Sequence, residues 1–307
     1  MYKIFGYHWH TVHNYRLCNA LHDCEFYFLN DNSVQPNWNK KHRPVPKNVK
    51  FVDRYEPDKY DFAILHADQM IEYHITYGAL YRRMNSQIKD IPKIVIYHGF
   101  RINDKNKERA MQLLKGNWIV FNAEQIRKDF GNPEKSLTIH HGYDVDEFKQ
   151  TDYSLKNVLT VCSQHPDTYF WAGADMVKEV AKQVNITWMG LHKTCNTYDE
   201  YRELLSQSSI YLSPHRVSPM PGARTEAMLS GLCVVTTNNL CDEDYLKDGF
   251  NCFVANTPKE MVTIIRHLQL HEELIKKVGM QGRITAIELF DIKQYRNEWL
   301  KLIQNIL

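Results

Sequence analysis

In "SPHRVSPMPGARTEAMLSGLCVVTT", residues 213–237, Gly222, Arg224, Thr225 and Glu226 stand where an apolar helix should begin. A helix start offers unsatisfied backbone N–H groups and the positive end of a dipole, a ready seat for an anionic diphosphate. Gly222 lets the chain approach a ligand closely, because it has no Cβ. Arg216 and Arg224 can neutralise phosphate charge, and a guanidinium can do so with two parallel hydrogen bonds. Glu226 has two oxygens with which to accept hydrogen bonds from vicinal hydroxyls, as on a ribose. The plainer reading is an acid that favours its helix dipole, with the arginines in solvent.

Three further groups carry possible chemistry. His8, His10 and His13 in YHWHTVH suggest zinc at first sight. No partner cluster follows in sequence, and strand alternation would put only His8 and His10 on one side. Asp144 and Asp146, two residues apart in DVD, could bind a divalent cation through oxygen. The stretch QPNWNKKHRPVPKNVKFVDR, 35–54, has six Lys/Arg against one Asp, with Trp38 and three prolines. Such a loop suits an anionic acceptor, although a solvated loop is the commoner outcome.

The elements that must position these groups alternate between short apolar runs and helical patterns, which predicts a parallel sheet wrapped by helices. In the first half, strands are predicted at 2–7, 25–30, 50–54, 62–67, 93–98, 118–123 and 137–142, with helices at 68–87 and 104–115. The pattern then restarts with strands at 157–163, 186–190, 209–214 and 232–237. Helices are predicted between them at 175–183, 197–207 and 223–231, with Gly231 as a helix stop. After FNCFVAN, 250–256, the chain reads as helical to its end, opening at Pro258. The expectation is α/β, two doubly wound Rossmann-like domains facing across a cleft: residues 1–150 and 151–307, with the C-terminal helix returning towards the first domain. In doubly wound sheets ligands bind beyond the carboxyl ends of the strands, where all these candidate residues fall.

At 307 residues the chain is long for one core and suits two domains, and 43% hydrophobic residues exclude a disordered protein. A net charge of +2 argues against a whole-protein electrostatic grip on nucleic acid or membrane. Seven cysteines without a CxxC pair argue against a disulfide framework and point to a reducing, cytoplasmic setting. The start lacks a long apolar segment, so no signal peptide is expected, and no run approaches the ~20 apolar residues of a membrane span.

The stretch P-H, then S-P-M-P-G-A-R-T-E-A-M, then S-G-L-C-V-V-T-T (214–237) resembles the C-terminal signature of retaining GT-B glycosyltransferases of family 4. IHHGYDVDEFK (139–149), YLKDGFNCFVAN (245–256), PKIVIYHG (92–99) and ITWMG (186–190) are similar to further segments of that family. The resemblance implies a sugar transfer from a nucleotide diphosphate sugar to a hydroxyl acceptor, retaining and without a metal or other cofactor. It implies a ribose-binding role for Glu226, a place beside the donor sugar for Ser218, and His98 as a catalytic residue near that sugar. Ser218 stands where the family has a first Glu. The family's Arg and Lys after the first strand of the second domain are missing from CSQHPDTYFWAG (162–173); Arg224, with Arg216 and His165, is the expected compensation. The first strand–loop lies on the family's acceptor side, so His8, Trp9, His10 and Asn14 read as acceptor contacts. The acceptor is open between a glycan, a small molecule and modified DNA. The alternatives are a phage-type DNA glycosyltransferase acting on hydroxymethylated bases and a catalytically weak nucleotide-sugar-binding protein.

Overall fold

A computed structural model describes residues 1–30, 38–72, 76–165, 169–190, 194–241 and 244–307, with Thr76 and Tyr77 described by backbone only. It divides into two compact units, Met1–Tyr143 with Ile292–Leu307, and Asp144–Asp291. The division thus falls after Tyr143 rather than after residue 150. The reason is local: Thr151 N–H donates to Ser230 O (2.9 Å) and Arg283 donates to Phe148 O (3.1 Å), which ties the 144–151 segment into the second unit.

In the first unit the order is β1 (Lys3–Tyr7), α1 (Thr11–Ala20), β2 (Glu25–Leu29), β3 (Val49–Val52), β4 (Phe62–Ala67), α2 (Thr76–Gln87), β5 (Lys93–Tyr97), α3 (Asp104–Leu114), β6 (Trp118–Phe121), α4 (Glu124–Asp129) and β7 (Ser136–Thr138). The strands form one parallel sheet in the order β3-β2-β1-β4-β5-β6-β7, so the strand order reverses between β1 and β4. The near-continuous apolar runs of β1, β2, β4, β5 and β6 are buried on both faces, as a parallel sheet covered by helices requires, whereas the edge strand β3 is not. The last helix of the chain, Ile292–Ile306, belongs to this unit. Its apolar side chains Tyr295, Trp299, Leu302 and Ile303 join Leu17, Cys18 and Leu21 in the core. Each such buried large side chain contributes about 1.5–3 kcal/mol. Arg296 forks onto Asp23 with two 2.9 Å bonds, and a Cβ on Gly142 would come within 2.5 Å of Tyr295 Cβ and 2.6 Å of its ring.

In the second unit the order is β8 (Val158–Thr160), α5 (Tyr169–Ala172), α6 (Ala174–Ala181), β9 (Ile186–Trp188), α7 (Tyr198–Ser206), β10 (Ile210–Ser213), α8 (Gly222–Leu229), β11 (Cys233–Thr236), β12 (Phe253–Val254), α9 (Pro258–Leu270) and α10 (Glu272–Phe290). The terminal helix of the first unit is then α11. The five parallel strands run β12-β11-β10-β8-β9, a doubly wound order whose reversal lies between β8 and β10. Ligands of such sheets bind outside the strand ends at that reversal. Helix α9 opens with a capping box between Thr257 and Glu260, with Pro258 in its first turn.

Several elements are shorter than the sequence pattern predicts. Of 250–256 only Phe253–Val254 pairs as a strand, because Lys247 and Asn251 close a turn before it. Helix α8 ends at Leu229, and Gly231 follows in the left-handed conformation at φ +78°. Helix α5, a single turn of YFWA, has too short a pattern to be predicted.

Candidate functional site

Two groups of side chains gather at the strand reversals, one in each unit. In the second unit, β10 ends at Ser213, and Pro214 and the following loop lead to α8. Pro221 holds the N-cap position and has no side-chain hydrogen bond to give. Gly222 and Ala223 are half-buried there, whereas Arg224, Thr225 and Glu226 are buried. Tyr198, at the start of α7, donates its phenol to Glu226 Oε1 at 2.9 Å. Arg224 donates to the Tyr245 hydroxyl at 3.2 Å. Burial, and then the Arg224 charge, bring the His215 imidazole down to about 4, so this ring is neutral at physiological pH. Burial also pushes the Tyr201 phenol well above its ordinary value, reinforced by Glu226, so it stays protonated beside that carboxylate.

Gly173 brings the other side of this site close. It caps α6 at φ +76°, and a Cβ there would meet Pro214 O at 2.0 Å. Only glycine satisfies both the left-handed backbone and that approach. The start of α6 therefore lies against the end of β10.

Two expected donor-site residues behave differently. Arg216 is committed to Asp175, with two 2.7 Å bonds, and it also donates to Phe170 O while lying 4.4 Å over the Phe170 ring. The Arg216 fork holds the Asp175 carboxyl below its usual range. Its charge is thus paired inside the unit, so a phosphate would compete with Asp175 for it. Ser218 is held by Asn239, which accepts its N–H at 3.0 Å and donates to its carbonyl at 2.7 Å, so the loop before α8 is pinned. His165 is exposed, with its backbone N–H donated to Ser163 Oγ, and residues 166–168 of the same loop lie outside the described residues. Asp144 accepts the Asp146 N–H at 3.2 Å and so caps a short turn.

In the first unit, His8, Trp9, His10 and Asn14 follow β1, His66 lies near the end of β4, His98 follows β5 and Asn122 follows β6. These positions converge. Asn14 Nδ2 lies 3.2 Å from His66 Nε2, His66 Nδ1 lies 3.0 Å from His98 Nε2, and His98 Nδ1 lies 2.8 Å from Asn122 Nδ2. The Trp9 indole stacks on His98 with centroids 3.9 Å apart at 13°. Tyr7 clamps the backbone of His66, donating to its carbonyl and accepting its N–H at 3.0 Å. Burial brings His66 down to about 3, and it holds His98, His13 and His141 well below the ordinary imidazole value. His8 is buried, with Nε2 3.1 Å from Thr11 Oγ1, whereas His10 is exposed.

The partner cluster that the sequence withheld from His13 exists in space. His13, His98 and His141 have ligand atoms within 4.8 Å of one another, and His13 Nδ1 is buried with no hydrogen-bond partner among the described residues. His8 and His10 are not part of that group. In the basic stretch, residues 35–37 lie outside the described residues. Trp38 is buried and donates to Arg43 O at 2.8 Å, and buried Arg43 lies over the Tyr15 ring. Of the three cations Lys40, Lys41 and Arg43, only the two lysines face solvent.

His66, Asn122, Tyr198 and Tyr245 were not singled out from the sequence. Each sits inside an apolar or turn pattern that accounts for it without chemistry.

Comparison with known proteins follows this geometry. Residues 174–301 match the family model described as "Glycosyl transferase-like". No curated protein matches the chain in sequence. Among solved structures, Alr3699/HepE of Anabaena in complex with UDP and glucose matches with TM-score 0.75 and 13% identity, over 99% of this chain and 100% of that one. Sucrose-phosphate synthase of Thermosynechococcus elongatus matches with TM-score 0.74 and 10% identity, over 99% of each chain. WaaG, a glycosyltransferase involved in lipopolysaccharide biosynthesis, matches with TM-score 0.64 and 12% identity, over 98% of this chain and 99% of that one. The chain has the GT-B fold, and the match to the glycosyl transferase-like model runs from the start of α6 into α11. Among the described residues no helix is long and apolar enough to cross a membrane.

Proposed function

We propose that this glycosyl transferase-like chain moves a sugar from a nucleoside diphosphate sugar to a hydroxyl acceptor, with a UDP-sugar as the first donor class. One observation carries the reading. The buried Glu226, oriented by Tyr198 at 2.9 Å, stands in the first turns of a helix whose N-cap residue, Pro221, makes no side-chain hydrogen bond. A carboxylate so held can take ribose hydroxyls while the helix start and Arg224 take the diphosphate. The HepE structure crystallised with UDP-glucose has the same fold and supports that donor class.

Transfer loosens the bond between the anomeric carbon and the diphosphate oxygen, and negative charge grows on the leaving group. Preorganised donors stabilise that charge at no cost in reorganisation. Here they are the N-terminal peptide groups of α8 and the Arg224 guanidinium, with Gly222 allowing close approach. We read the reaction as metal-independent, as the family resemblance implies. Retention of configuration, and a sugar-side place for His98, follow from the family resemblance. His8, Trp9 and His10 are the acceptor-side residues of this reading. Seven cysteines without a CxxC pair support a cytoplasmic setting.

Titration calorimetry with UDP, UDP-glucose, ADP and GDP tests the site. Glu226→Ala should weaken the preferred nucleotide about 10- to 100-fold while unfolding remains cooperative, the loss of one or two charge-assisted hydrogen bonds. Equal affinity in the variant, or no binding of any nucleotide by the wild type, overturns the assignment.

A second reading, a nucleotide-sugar-binding protein with weak turnover, is favoured by Arg216 being tied to Asp175 and by Ser218 standing in a pinned loop. Tight donor binding without hydrolysis or transfer to any hydroxyl acceptor would select it. The DNA-directed alternative loses support, because Arg43 and Trp38 of the basic stretch are buried in packing.

A further inference from the structure

The four side chains Asn14, His66, His98 and Asn122 form a row in which each link needs one donor and one acceptor. A neutral imidazole has one of each, so fixing one end fixes every proton along the row. The fixed end is Asn14. Its Oδ1 accepts two backbone N–H groups, from Trp9 at 3.1 Å and His10 at 3.2 Å. The amide therefore cannot turn round without setting its NH₂ group against both donors. Nδ2 must face His66 as a donor.

The rest follows by elimination. His66 Nε2 accepts from Asn14, so the proton of His66 sits on Nδ1. That proton is donated to His98 Nε2 across 3.0 Å. His98 then carries its own proton on Nδ1, 2.8 Å from the amide of Asn122. A donor on His98 requires the oxygen of that amide, which a half-turn of the Asn122 side chain supplies. Amide oxygen and nitrogen are nearly equal in size, and among the described residues Asn122 Oδ1 makes no hydrogen bond that the turn would break. The opposite sense of the row would require turning Asn14, at the loss of two backbone bonds.

We propose that Asn14 and His66 are positioning residues that hold His98 as the neutral Nδ1–H tautomer, with both of its ring nitrogens spent inside the first unit. His98 then has neither a proton to give nor a lone pair to offer a ligand. Stacked under Trp9, it acts as a fixed neutral wall rather than as an acid or base. A metal held by His13, His98 and His141 would have to displace His66 from the His98 lone pair. The assignment of protons stands apart from the glycosyl-transfer reading; only its consequence for catalysis rests on it.

Long-range nitrogen–proton NMR of the histidine side chains in the full chain, at pH 7, reads the tautomers directly. The expected pattern is a protonated Nδ1 and a bare Nε2 on both His66 and His98. A protonated Nε2 on His98, or an imidazolium on either ring, overturns the proposal. Asn14→Asp, nearly isosteric, replaces the donor facing His66 by an acceptor, so His66 Nε2 should gain a proton. If its Nε2 stays bare in that variant, Asn14 does not set the row and the proposal fails. A failure of UDP binding would leave these spectra unchanged, so the two readings fall separately.

Discussion

His66 is the residue at which acid should weaken the protein most measurably. It is 1% exposed, and burial brings it down to about 3, with the His8 and His10 charges adding to the effect. Among the described residues no carboxylate pairs with its charged form: beyond burial, the groups lowering it are imidazoles, and its ring neighbours are Asn14, His98, Trp9 and Tyr7. In the unfolded chain the same imidazole titrates near 6.5. Between those values the unfolded state binds a proton that the folded state refuses, so stability is full above the unfolded value and is lost as pH falls through it. From pH 7 to pH 5 the loss from His66 alone is about 2 kcal/mol. His13, His98 and His141 are shifted in the same direction and add to it. His10 is exposed, and solvent screening leaves it out of the sum. Carboxylates such as Asp175 titrate below this window and contribute little to it. At about 2–4 °C per kcal/mol, the melting temperature should drop by at least about 4 °C between pH 7 and pH 5. Calorimetry at half-unit pH steps measures it, and His66→Gln should show a flatter dependence in that window. A melting temperature that is constant or rises towards pH 5 would refute the neutral imidazole row.

Three other substitutions probe the second unit and the basic stretch. Gly173→Ala places a Cβ 2.0 Å from Pro214 O at positive φ, so it should cost about 2 kcal/mol or more and weaken nucleotide affinity, read by denaturant unfolding and calorimetry. Arg216→Ala should leave nucleotide affinity within about twofold and lower stability by at most about 1 kcal/mol, because its pair with Asp175 is partly exposed. A large loss of affinity in that variant would return Arg216 to the phosphate site. Joint replacement of Lys40 and Lys41 by Ala should leave turnover unchanged; a salt-sensitive loss of DNA binding would revive the nucleic-acid reading.

The sequence carried the fold because parallel strands buried on both faces read as short apolar runs, and Lys93–Tyr97, Ile210–Ser213 and Cys233–Thr236 all lie within the runs so identified. It also carried the α8 start, since Gly222, Arg224 and Glu226 sit within five residues of one another. What it concealed is of another kind. The links of the imidazole row span 52, 32 and 24 positions in the chain. No local period joins them; they meet only because β1, β4, β5 and β6 are consecutive in the parallel sheet and end at the same edge of it. His66 is the sharpest case. In FAILHA it reads as one polar interruption of a buried strand, and nothing in its neighbours says that Tyr7 holds its backbone and Asn14 its ring. Ion pairing is equally invisible: Arg216 and Asp175 are 41 positions apart, so a cation that looked available to phosphate was already paired. A site residue is legible in sequence when its partners are its neighbours, and a side chain whose partners arrive through topology shows its chemistry only when the sheet is assembled.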